Sequence, residues 1–154
     1  MELDEIFLKV CKAFNRNQVN YVVVGGFAVI IHGFPRATID IDLVVEVTDQ
    51  NIERLKKALF SVFRDKAIEE ITLKDLNKYA VVRYGTPDGF YIDIIGRIGR
   101  VANYNTLKED ITIFRVLEVD IPVCGLNNLI KLKETSRPKD KVDLLFLKEK
   151  LRKE

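Results

Sequence analysis

Residues 21–47 read YVVVGGFAVIIHGFPRATIDIDLVVEV, and two features of this stretch could do chemistry. Gly25 and Gly26 end an apolar run. Thirteen residues separate them from Asp40-Ile41-Asp42, which stands inside a second apolar run. In an extended strand alternate side chains share a face, so Asp40 and Asp42 point the same way with Cα atoms roughly 6.5–7 Å apart. Two carboxylates held together in apolar surroundings repel each other and are costly to desolvate. A divalent cation relieves both costs. Glycines ahead of them let backbone N–H groups approach a phosphate. Glycine pair, Asp-x-Asp and metal together read as a nucleoside-triphosphate site.

A two-metal centre usually needs a further ligand that can also face the attacking group. Asp93 is the candidate, because it is the one charge in Phe90-Tyr91-Ile92-Asp93-Ile94-Ile95. Its plainer reading is an outward position on an edge strand. Attack on an α-phosphorus builds negative charge on the attacking and leaving oxygens, and two cations about 3.5–4 Å apart can stabilise both. A hard cation with oxygen ligands, Mg2+ or Mn2+, suits this chemistry better than zinc. His32 is the single histidine and cannot make a zinc cluster by itself. Ser61 and Ser136 lack a Gly-x-Ser-x-Gly context, so no hydrolase triad is visible. Taken singly, the glycine pair fits a tight turn and the aspartates fit a strand with one wet face. Their mutual spacing favours the joint reading.

The elements that must position these residues follow from periodicity. Leu3, Ile6, Phe7, Val10, Cys11 and Phe14 have helical spacing over residues 3–15. Tyr21–Val24 is a short buried strand, and Phe27–His32 a short helix ended by Gly33 and Pro35. Ile39–Val47 is a second strand, rich in β-branched residues. Asp49 is placed at the cap of a helix whose apolar face holds Ile52, Leu55, Ala58, Leu59 and Val62. Residues 66–78 are ambiguous, with Thr72 a cap for a short helical turn. Ala80–Tyr84 and Phe90–Ile95 flank a hairpin loop at 85–89. Arg97–Asp110 reads as loop. Thr112–Leu117 and Val119–Val123 are strands, Leu126–Ser136 is helical, and Pro138 opens a last helix reaching about Leu151. The expected class is α/β (α+β), a small mixed sheet flanked by helices, in one domain spanning residues 1–154.

Composition limits the alternatives. A 154-residue chain with 47% hydrophobic residues can bury a real core. The net charge of +2 does not argue for nucleic-acid binding by itself. Residues 126–154 carry nine Lys/Arg against five Asp/Glu, and residues 1–125 sixteen against eighteen. A polyanion could bridge the two regions, and a solvated helical face explains the basic excess equally well. Cys11 and Cys124 read as buried small hydrophobes in a chain expected to be cytoplasmic. No apolar stretch reaches the ~18 residues of a membrane helix. His32 is expected to end or pack a helix. Tyr21, Tyr91 and the phenylalanines are expected in the core, and Asp140 and Asp143 are expected to cap and solvate the last helix. Arg36 could neutralise the carboxylates, contact phosphate or anchor its loop.

A glycine pair, a short helix, Asp-x-Asp on a strand and a later carboxylate together resemble the nucleotidyltransferase superfamily. Gly25-Gly26-Phe27-Ala28, His32-Gly33, Arg36-Ala37-Thr38 and Asp40-Ile41-Asp42-Leu43 are similar to its minimal prokaryotic members related to the AbiE toxin component. Leu129-Ile130-Lys131-Leu132-Lys133, with Arg137-Pro138-Lys139-Asp140 and Asp143, resembles their closing helical segment. The resemblance implies a nucleotidyltransferase-like fold with C-terminal helices, and transfer of a nucleoside monophosphate from a triphosphate. Asp40, Asp42 and Asp93 would be catalytic and bind metal. Gly25, Gly26, Arg36, Lys133 or Lys131, Arg137 and Lys139 would contact the nucleotide. The acceptor stays open among a tRNA end, a protein hydroxyl and a small molecule such as an aminoglycoside. A homodimer cleft or a cognate partner protein would help form the site. Two other readings are a module on the same fold that binds nucleotide or RNA without turnover, and a metal-dependent phosphoesterase.

Overall fold

The computed structural model describes residues 1–100, 102–134 and 138–154, apart from the side chain of Lys139. The first helix, α1 (Leu3–Arg16), starts at a reciprocal cap between Glu2 and Glu5 and buries Ile6, Phe7, Val10, Cys11 and Phe14. This is the face that helical spacing selects. Strand β1 (Tyr21–Val24) is buried at all four positions, as a central strand with both faces covered must be. Helix α2 (Gly25–Ile31) follows without a linking residue and ends at His32. Strand β2 (Asp40–Val45) leads to α3 (Asp49–Phe63), capped by Thr48, whose side chain accepts from the Asn51 amide.

Beyond a 3-10 turn at Lys66–Glu70, Thr72 caps α4 (Leu73–Tyr79). A hairpin of β3 (Val81–Gly85) and β4 (Tyr91–Ile95) comes next. The segment expected to be loop holds a two-stranded ribbon, β5 (Arg97–Ile98) and β6 (Ala102–Asn103), and then α5 (Tyr104–Leu107). Strands of two residues leave no periodicity to read. The short helix is instead fixed by a local cap, in which Asn103 and Thr106 satisfy each other's backbone amides. A second hairpin, β7 (Ile111–Val116) and β8 (Val119–Cys124), precedes α6 (Leu126–Lys133) and α7 (Pro138–Lys153).

The main sheet has six strands in the order β3-β4-β2-β1-β8-β7. It is mixed: β2 with β4 and β1 with β8 are parallel, and the other pairs are antiparallel. Strand alternation decides which side of β2 is greasy. Ile41 and Leu43 are fully buried, whereas Asp40 and Asp42 take the other face. Helices α1 and α3 pack against each other, and α1 also packs on β8. Cys11 and Cys124 are free and buried, and burial pushes both thiols up to about 12. Among the described residues, no helix is long and apolar enough to cross a membrane.

Candidate active site

Three strands build the site. Parallel pairing of β2 with β4 sets Asp42 directly beside Asp93, and Asp40 stands one pleat away on the same face. Strand β4 lies inside the sheet, between β3 and β2, so Asp93 is not on an edge strand. Antiparallel pairing of β1 with β2 aligns Val24 with Asp42 and delivers the following residue, Gly25, to the carboxylate. Gly25 has φ +68°, and a Cβ there would overlap the Asp42 carboxylate. Glycine is required twice at this point, for the left-handed backbone and for the close approach. A Cβ on Gly26 would come within 2.5 Å of Thr38 Oγ1. The glycine pair therefore opens α2 rather than acting as a spacer ahead of a helix at Phe27: Gly25 enters it with left-handed backbone, and a larger residue at either position would collide.

Burial pushes the Asp42 carboxyl up to about 7, aided by the Asp93 charge, a hydrogen bond to Asp93 and the Asp40 charge; Lys133 opposes this. An acid held this high is electrostatically unsatisfied and favours a nearby cation. Three oxygen-donor side chains suit a hard divalent ion. As they stand, the acidic, histidine and cysteine side chains among the described residues do not converge in threes on an ion position. A guanidinium already pairs with two of the three acids. Arg83, opposite Asp93 on β3, donates from Nε to Asp93 Oδ1 (2.8 Å) and from Nη2 to Asp93 Oδ2 (3.0 Å). The same Nη2 lies 3.5 Å from Asp40 Oδ2. Its hydrogen bonds to Asp93, and then the Asp93 charge, hold the Arg83 guanidinium even more firmly protonated than usual.

A second charge cluster backs the glycine turn. Lys133 Nζ, on α6, lies 3.4 Å from Asp140 Oδ1 and 3.2 Å from Asp143 Oδ2. Arg36 Nη1 donates to Asp143 Oδ2 at 3.0 Å. Asp140 and Asp143 are both 1% exposed, so they do not solvate α7 as expected. Their spacing of three residues puts both on one helix face, and that face turns inward toward two cations. Arg36 anchors its loop to α7 and stands 3.3 Å from where a Gly26 Cβ would lie. Lys133 is buried and Lys131 exposed. Arg137 lies outside the described residues, as does the Lys139 side chain, so neither candidate is placed. His32 closes α2, and its Nε2 pairs with the Cys124 carbonyl at 2.9 Å.

Sequence reading missed Arg83 and placed Tyr91 in the core. Tyr91 is 46% exposed, and Arg83 Cζ lies 4.8 Å from its ring centroid. The signal for Arg83 was the hairpin register. A loop at 85–89 pairs Tyr84 with Phe90, whereas the real turn runs one residue later and pairs Gly85 with Tyr91. Thr86 causes the shift: its amide donates to the Phe90 carbonyl, and its hydroxyl accepts from the Phe90 amide. The two pairings differ by two residues, so the faces are kept and Arg83 moves from opposite Tyr91 to opposite Asp93.

The model of the family described as nucleotidyl transferase AbiEii toxin, type IV toxin–antitoxin system, matches residues 10–123. The chain belongs to this family. The matched segment contains the glycine pair and all three carboxylates, and the charge cluster on α6 and α7 lies beyond it. Solved structures share the fold at low identity. A nucleotidyltransferase structure from Thermotoga maritima has a TM-score of 0.56 at 19% identity, over 99% of this chain and 94% of that one. A lincomycin-bound lincosamide antibiotic adenylyltransferase has a TM-score of 0.56 at 16% identity, over 96% and 97%. An antigenic nucleotidyltransferase-like protein from Paracoccidioides brasiliensis has a TM-score of 0.57 at 15% identity, over 95% and 75%. A search of the curated proteins gave no match.

Proposed function

We propose that this AbiEii-family protein transfers a nucleoside monophosphate from a nucleoside triphosphate to an acceptor hydroxyl in the cytoplasm. One observation carries the reading. Asp42 and Asp93 are register partners on neighbouring parallel strands, beside a glycine turn that touches Asp42. Asp40, Asp42 and Asp93 would hold Mg2+ or Mn2+. When bound, such an ion neutralises charge on the reacting phosphate oxygens.

The chain's own residues supply the rest. The turn at Gly25 and Gly26 presents backbone without side chains and leaves room for the triphosphate. Lys133, whose charge already acts on Asp42, offsets phosphate charge, and Arg36 holds the loop behind the turn. Asp93 orients the acceptor hydroxyl and takes up its proton. The acceptor oxygen bonds to the α-phosphorus, the α–β bridging bond breaks, and pyrophosphate leaves. Family membership supports a growth-arresting role and a cognate partner protein. The acceptor would be RNA, a protein hydroxyl or a small molecule, and the lincosamide adenylyltransferase keeps the last of these in play.

The test uses triphosphates labelled at the α-phosphate, with Mg2+ and separate arms of RNA, protein and aminoglycoside or lincosamide. We expect label in one arm with an equal yield of pyrophosphate, and loss of both in Asp42→Asn and Asp93→Asn. Transfer that survives either substitution would refute the proposal. Expression in cells should slow growth, and Asp40→Ala and Asp42→Ala should abolish the effect. Equal arrest by these variants would remove the toxin reading.

A further inference from the structure

Arg83 has no part in the reaction above, yet it holds the most direct contacts to the carboxylates. Its fork takes both oxygens of Asp93 and reaches Asp40, two of the three groups that would bind an ion. The two ends of this pair differ in freedom. The Asp93 side chain is 13% exposed and fixed within an inner strand, whereas the Arg83 side chain is 52% exposed on an outer strand. The cation is therefore the partner that can leave, and an ion pair open to solvent holds it weakly. A second surface waits for it. Tyr91 lies two residues before Asp93 on the same face of β4, and its ring already contacts the guanidinium.

We propose that Arg83 is the resident counter-cation of the carboxylate site: it competes with a divalent ion for Asp93 and Asp40, and keeps only its contact with Tyr91 when the ion enters. The proposal rests on the reading of Asp40, Asp42 and Asp93 as a divalent-cation site. Without an ion, Arg83 limits the repulsion among three neighbouring acids. Loading the site then releases a positive charge at its β3 side, opposite the glycine turn. Arg83 is a positioning residue in this scheme, because it acts through the carboxylates. A purely structural Arg83 would only tie β3 to β4, and its removal would not tighten ion binding.

Titration calorimetry with MnCl2 alone, on full-length wild type and Arg83→Gln, separates these roles. Removing a unit charge within a few ångströms of a dication should tighten Mn2+ binding by roughly tenfold. Equal or weaker binding by Arg83→Gln would overturn the proposal and leave the cation site standing. Absence of Mn2+ binding by both proteins at millimolar concentration would overturn the proposal and the cation site together. Should Arg83→Gln fail to fold, the wild type still decides. In 15N spectra, saturating Mg2+ should shift the Arg83 Nε–H signal and speed its exchange with water. An unmoved signal while the Asp42 and Asp93 amides respond would refute the exchange of partners.

Discussion

Replacing Asp42 by Asn should stabilise the metal-free protein at pH 8 and do so much less at pH 5. The Asp42 carboxyl is raised from 3.8 to about 7, chiefly by burial and then by Asp93. Between these values the unfolded chain has lost its proton while the folded chain keeps it. Folding therefore becomes less favourable as pH rises through this window, and the full penalty is present above about pH 7. At about 1.4 kcal/mol per pH unit, the displacement sets an upper limit of about 4 kcal/mol. The site relaxes and admits water when charged, so about 1–2 kcal/mol is the expected part. Asn matches the neutral acid in size and carries no charge. In a chain of this length, about 1 kcal/mol moves the melting temperature by roughly 2–4 °C. Thermal melts in EDTA should show Asp42→Asn above wild type by roughly 2–8 °C at pH 8, with roughly a third of that gap left at pH 5. A variant that melts lower than wild type at pH 8, or differs equally at both pH values, would refute the electrostatic reasoning.

Two further outcomes follow from the packing. Lys133→Ala removes a cation from between two buried aspartates, which typically costs about 3–5 kcal/mol. Arg36 still faces Asp143, so the lower end is expected in urea unfolding at pH 7; a loss under about 1 kcal/mol would mean that the cluster is not held by this charge. Gly25→Ala should lower the melting temperature more than Gly89→Ala and also abolish triphosphate binding. Both positions have positive φ, but only at Gly25 does a Cβ meet a neighbour. Equal costs at the two sites would contradict the close approach of the turn to Asp42.

The central motif was legible because its signals are local. Two buried strands with β-branched residues, a glycine pair and period-two alternation were enough to set Asp40 and Asp42 on one face. The hairpin at Val81–Ile95 was visible too, but its register was not. Register depends on how Thr86 closes the turn, and a pairing two residues out hid Arg83 opposite Asp93. Thr48 rather than Asp49 caps α3, a shift of one position that the composition of the segment does not decide, since both residue types cap well. The inward turn of Asp140 and Asp143 was illegible for a different reason. Charged residues on a lysine-rich helix normally face water, and here the packing of α7 against α6 and against the loop before β2 supplies the Lys133 and Arg36 partners that make burial tolerable.

Diffraction from crystals grown with Mn2+ and a non-hydrolysable nucleoside triphosphate tests the central claim most directly. The account predicts an anomalous peak bounded by Asp40, Asp42 and Asp93, phosphates against Gly25 and Gly26, and the Arg83 guanidinium drawn off Asp93. Manganese bound elsewhere, with Arg83 still clasping Asp93 and no phosphate at the glycine turn, would contradict it.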